Sequence, residues 1–138
     1  MDRKLLWVEE TVSEGGRGIR VYRATQQGMD LHREWLLRPV DPATIGNDLG
    51  MHLMRFAMMG ALDKSEVAAF LTSLAAALDR FVSGMESYLA TQEQWDSWFG
   101  TSAVRHGIAI HRASLEWARE ALAGLDMTAS DGDATLRR

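Results

Sequence analysis

The chain has 138 residues, no cysteine and a formal net charge of -4, enough length for one compact domain or a small module with a helical extension. The missing cysteine excludes disulfides, zinc ribbons and thiol chemistry. No apolar run approaches the roughly 20 residues of a membrane span, and "MDRKLLWVEE" lacks the long apolar stretch of a signal peptide, so no membrane partner is expected. Charge is uneven along the chain. Residues 1 to 25 hold Arg3, Lys4, Arg17, Arg20 and Arg23 against Asp2, Glu9, Glu10 and Glu14, a net of +1, which leaves -5 for the rest.

Residues 5 to 24 read as a β-hairpin. "LLWVEETV" and "IRVYRA" are rich in Val, Ile, Trp and Tyr, and the glycines of "EGGRG" between them suit a tight connection. Alternation places Val8 with Val12 and Ile19 with Val21, so one side of the ribbon is expected to pack while Arg20 and Tyr22 point the other way. Two strands alone are marginal, so the hairpin must lean on something else. Thr25 then has the character of an N-cap. "QQGMDLHREWLLR" follows as a short helix with Met29, His32 and Leu36 on one side, ended by Pro39 and Pro42.

A second helix is expected over Thr44 to Ala61, where "LGMHLMRFAMMGAL" is apolar nearly all round, as in segments buried on more than one side. Asp63 and Glu66 have capping-box spacing ahead of a third helix. In it Val67, Leu71, Leu74, Leu78, Phe81, Met85 and Tyr88 recur in alternating steps of four and three. The last helix, about Thr101 to Leu125, repeats the pattern with Val104, Ile108, His111, Leu115, Ala118, Leu122 and Leu125. Neither seam is stable unpartnered. The linker "TQEQWDSWFG" allows them to pack on each other within one chain. The other reading adds a second chain, with Val67, Leu71, Leu74, Leu78, Phe81, Met85, Val104, Ile108, Leu115 and Leu122 as the seam of a homodimer. The small, polar end, residues 127 to 138, is expected to be disordered.

Four histidines prompt a search for a metal site, but there is no His-Glu-x-x-His, and His106 and His111 are off a common helix face. Ser102 and His106 do not have the spacing of a nucleophile elbow. "GGRG" lies between strands and not before a helix, so it is a turn and not a phosphate loop. No acid, base and nucleophile converge, so neither an enzyme nor a cofactor is expected. Trp95 and Trp98, three apart in the linker, and His111, a polar point in an apolar seam, form a candidate ligand pocket, since aromatic walls stack flat ligands.

The order of strand, glycine turn, strand, threonine cap, helix ending in Trp-Leu, then proline resembles the wing and linker helix of the PadR family of bacterial transcriptional regulators. The residues carrying the resemblance are Tyr22, Arg23, Thr25, Gly28, Trp35, Leu36 and Pro39, with Ala24 where the family usually has leucine. Leu5 stands where a glycine is common. The later helices resemble the larger C-terminal dimerisation region of the family's virulence-activator branch. The fold implied is mainly α with a β-hairpin: a partial winged-helix element over 1-38, a helical dimerisation domain over 39-126 and a tail over 127-138. Family members begin with a helix-turn-helix, and "MDRKLLWV" resembles only the exit of its recognition helix, so the chain is expected to start inside the DNA-reading head.

The function implied is a ligand-responsive, DNA-binding repressor in the bacterial cytoplasm, acting as a homodimer on a promoter operator and answering to a small aromatic effector. Arg17, Arg20 and Lys4 would meet phosphates from the wing, a contact that positions a protein without reading sequence. Without a recognition helix, operator binding is expected to be impaired. The alternative is a dimerisation or ligand-binding helical module that does not bind DNA.

Overall fold

The computed structural model describes residues 4-12, 18-92 and 97-131. They divide into two compact units, Met1–Arg38 and Pro39–Arg138. The elements are β1 (Leu6–Val12), β2 (Gly18–Ala24), α1 (Gln26–Leu37), α2 (Ile45–Ala57), a short 3-10 turn (Met59–Ala61), α3 (Lys64–Gln92) and α4 (Trp98–Asp131). The chain is therefore mainly α with one antiparallel β-hairpin.

In the first unit the register differs from the expected division of faces. Val8 pairs with Tyr22 and Glu10 with Arg20, while Glu9 pairs with Val21 and Thr11 with Ile19. Residues directly opposite one another share a face, so Val8 lies on the side of Tyr22 and Arg20, away from Ile19 and Val21. Neither face is purely apolar, and Leu6, Trp7, Val8, Ile19 and Tyr22 are all exposed. The rotation of α1 also departs from expectation. Leu36 is buried, but Met29 and His32 are exposed, and the inward side runs through Gly28, Leu31 and Trp35. The cause is local: Gly28 is the point at which α1 approaches the backbone of Leu5.

The second unit is built on α3 and α4. Val67, Phe70, Leu71, Leu74, Ala77, Leu78 and Val82 of α3 are buried, as are Ile108, His111, Leu115 and Ala118 of α4. The helices run antiparallel, with Arg119 Nη2 3.0 Å from Asp79 Oδ1 and Arg112 paired with Glu86. At the start of α3 the Glu66 half of the expected box is formed, the amide of Asp63 donating to Glu66 Oε2 at 3.0 Å, which satisfies a donor that a helix start leaves open.

This arrangement corrects the reading of the seams as a dimer face. Val67, Leu71, Leu74, Leu78, Ile108 and Leu115 are buried within a single chain, and Phe81, Met85, Val104 and Leu122 are half-buried there. A heptad stripe needs a partner helix, and α3 and α4 serve each other. By length and composition α3 is also large and apolar enough to span a bilayer, whereas no run of that size was expected. Its stripe of Leu71, Leu74, Ala77 and Leu78 is covered by protein, as in the core helix of a globular unit.

α2 lies across this pair. Gly46 faces the ring of Phe81, His52 and Arg55 meet Phe70, and Phe56 stands edge-on to Trp117 with centroids 5.0 Å apart. Ile45, His52, Arg55 and Met59 point inward. The helix expected to run unbroken to Ala61 ends at Ala57 and tightens into the 3-10 turn, closed by the amide of Leu62 on the carbonyl of Met59 at 2.9 Å. At the other end α4 runs on to Asp131, past the start of the tail expected at 127; residues 132-138 lie outside the described residues.

Candidate functional site

The hairpin meets α1 through Thr25. Its backbone is extended, and its Oγ1 accepts from the amide of Gly28 at 3.1 Å, which caps the helix. The same hydroxyl donates to the carbonyl of Lys4 at 2.8 Å, and the Thr25 amide donates to the carbonyl of Leu5 at 2.9 Å. One residue thus closes the first turn of α1 and ties it to the chain entering β1. Gly28 completes the junction: a Cβ built there would stand 2.2 Å from the carbonyl oxygen of Leu5. Any side chain would force α1 away from β1, so glycine is required here for space.

The cationic residues singled out from sequence have different surroundings. Arg17 lies outside the described residues. Lys4 is exposed at the entry to β1. Arg20 is exposed on β2, its Nε 3.2 Å from Oε1 of Glu10 across the ladder. Arg23 pairs likewise with Glu9 at 3.4 Å and lies over the Trp7 ring, 5.8 Å from its centroid. The described hairpin therefore offers three cations against two carboxylates, a mildly positive surface in which each arginine already has a carboxylate partner. Exposed pairs of this kind are worth only about 0 to 1 kcal/mol, so their partners exchange readily.

The expected ligand pocket is not assembled. Trp98 is the first residue of α4 and not part of a linker, and it is 73% exposed with its ring edge-on to Phe99. His111 lies 13 positions further along the same helix, a separation of about 20 Å at the α-helical rise. Side chains so far apart cannot line one small cavity. Trp95 lies outside the described residues. His111 is a core residue: its Nδ1–H donates to the carbonyl of Gly107 at 2.8 Å, and its ring packs on Phe81 with centroids 4.4 Å apart. The grooves of about 500 and 410 Å³ between α3 and α4 contain neither Trp98 nor His111. Among the described residues no three His, Asp or Glu side chains gather as a metal site would require.

α2 also carries a buried polar pair. Arg55 Nη1 donates to Nδ1 of His52 at 3.3 Å, and both residues are more than nine-tenths buried. The Arg55 guanidinium stacks over Phe70 at 4.9 Å, a contact that strengthens when water is excluded. Burial, and then the neighbouring Arg55 charge, hold the His52 pKa below its ordinary 6.5, with Asp48 pulling weakly the other way. The signal was the i, i+3 spacing of two polar residues in an apolar helix, which puts them side by side.

No family model matches the chain, and no curated protein matches it. Among solved structures, a crystal structure of Bacillus subtilis PadR in complex with operator DNA aligns with 90% of this chain and 71% of its own, at 16% identity and a TM-score of 0.49. A likeness of that size does not establish a shared fold, and the DNA belongs to that structure.

Proposed function

We propose that the chain is a DNA-binding transcriptional regulator of PadR type, a ligand-responsive repressor acting as a homodimer in the bacterial cytoplasm and answering to a small aromatic effector. One observation carries the reading. Thr25 and Gly28, two of the residues on which the resemblance rests, make the junction between hairpin and helix: one caps α1 and grips the entry to β1, the other gives α1 room against Leu5. A hairpin held rigidly to a helix can present Lys4 and Arg20 to a phosphate backbone. As DNA approaches, the Arg20 guanidinium leaves Glu10 for phosphate oxygens, a charge-assisted contact of suitable geometry. Such contacts orient the protein on the duplex. They do not read base edges, so binding through the hairpin is weak and independent of sequence.

A second reading has its own support. Arg20 and Arg23 are matched by Glu10 and Glu9 across the strands, which suits a surface that never meets an anion. In that case the chain is a helical dimerisation or ligand-binding module. Fluorescence anisotropy of a labelled duplex at low salt separates the two. Arg20→Gln is expected to weaken binding about tenfold, the magnitude of one lost charge-assisted contact, while Arg80→Gln on α3 leaves it unchanged. Equal effects of both substitutions would remove the hairpin from the interface. Absence of binding by the unaltered chain would favour the module.

A further inference from the structure

Within its own unit, and among the described residues, α2 presents an exposed outer face. Between Ile45 and Ala61 the charged residues are Asp48 and Arg55, and Arg55 is buried. At the helical period, Gly50, Met51, Met54, Ala57 and Met58 form one stripe, continued by Ala61 on the following turn. All six are exposed, the three methionines at 45 to 47%. Methionine adapts readily to apolar surfaces, and an exposed apolar stripe on a helix usually marks a contact.

We propose that this face is the contact between two copies of the chain, packed antiparallel across a two-fold axis at Met54. The proposal rests on the dimeric reading above and names its surface. The sequence of the stripe is self-complementary about that axis. Reversing the helix around position 54 sets Met51 opposite Ala57 of the partner subunit and Met58 opposite Gly50 of the partner subunit. Each large side chain meets a small one, and only Met54 meets itself. A two-fold contact uses the same patch on both subunits, and such a patch must not repel itself. A stripe without charge meets that condition, whereas it offers nothing to pair with an acidic or basic partner.

The size of the face sets the strength. A helix of 13 residues is about 20 Å long, and its outer half covers roughly half of the ~800 Å² per partner typical of a standard interface. The dimer is therefore expected to dissociate in the micromolar range. The stripe begins at one polar residue, Asn47, which the same reversal sets opposite Ala61 of the partner subunit, and it carries no charge along its length.

Sedimentation equilibrium of the full chain and of Met54→Glu tests the assignment, with circular dichroism to confirm that helix content is kept. The unaltered chain is expected to dimerise. Facing carboxylates at the axis should weaken association about 100-fold. Because the chain has no cysteine, Met54→Cys gives a second readout: it should oxidise to a covalent dimer, while Ala76→Cys on the exposed side of α3 should not. Wild-type dimerisation by Met54→Glu, or cross-linking of Met54→Cys no faster than that of Ala76→Cys, would overturn the surface while leaving the dimeric reading intact. A wild-type chain that stays monomeric at high micromolar concentration would overturn both.

Discussion

Replacing Gly28 with alanine should loosen the hairpin from α1. In an open helix this change stabilises by roughly 0.5 to 1 kcal/mol, because alanine loses less backbone freedom. Here the new Cβ would sit 2.2 Å from the Leu5 carbonyl oxygen, where real contacts do not fall below 3.0 Å. The helix and the strand entry must therefore separate by close to an ångström. That movement strains the Thr25 amide bond to Leu5 and the Thr25 hydroxyl bond to Lys4, each worth about 1 kcal/mol net. Subtracting the gain in propensity leaves a loss of about 1 to 1.5 kcal/mol, or roughly a 5- to 12-fold rise in local opening. Amide hydrogen exchange read at Thr25 measures it directly. Gly84→Ala is the matched control, since a Cβ on Gly84 has no neighbouring atom within 4 Å; it should stabilise α3 slightly and leave Thr25 unchanged. A Thr25 amide as well protected in Gly28→Ala as in the unaltered chain would show that α1 does not depend on the missing side chain at Gly28 for its seat against Leu5.

Other consequences concern the helical unit. Leu74 is fully buried between α3 and α4, so Leu74→Ala should cost about 2 to 5 kcal/mol in urea unfolding, the range for an emptied core position. Arg119→Ala removes an exposed pair with Asp79 and should cost less than about 1 kcal/mol by the same assay. His52 has a lowered pKa in the folded chain, so the unfolded chain takes up its proton first as pH falls. Its contribution is complete above its ordinary 6.5 and is lost as pH falls from there through the folded value. Urea midpoints between pH 8 and 5 should decline on the acid side for the unaltered chain, and less steeply for His52→Leu.

What the sequence made legible was local. Thr25 as a cap, Pro39 and Pro42 as a stop, and the box of Asp63 and Glu66 depend on neighbours within a few residues, and all describe the observed element ends. The hairpin register was not legible, because it is set by the connection between the strands and a shift of one residue exchanges the faces. The heptad stripes announced that α3 and α4 each need a partner, but a stripe cannot say whether that partner lies in the same chain. The candidate pocket failed for a related reason: three aromatic or polar residues were grouped by sequence distance, while the early start of α4 spreads Trp98 and His111 along one rod. His52 and Arg55 are not legible as a buried pair, because a histidine and an arginine in an apolar helix give no sign of burial until Phe70 of α3 closes over them.

The electrostatic state of the hairpin bears on how it would act. With Glu9 and Glu10 against Arg20 and Arg23, its field is weak, and long-range steering of a duplex toward it is modest. Contact with DNA then depends on exchange of carboxylate for phosphate at short range, and salt competes with that exchange.

The most direct test of DNA binding through this hairpin is therefore the salt dependence of affinity for a promoter duplex and for an unrelated duplex. Similar affinities are expected for both, with log K falling against log salt by about 0.9 per phosphate contact, and a shallower slope, by nearly two such contacts, when Lys4 and Arg20 are both replaced by glutamine. A slope unchanged by that double substitution, or no measurable binding at low salt, would contradict it.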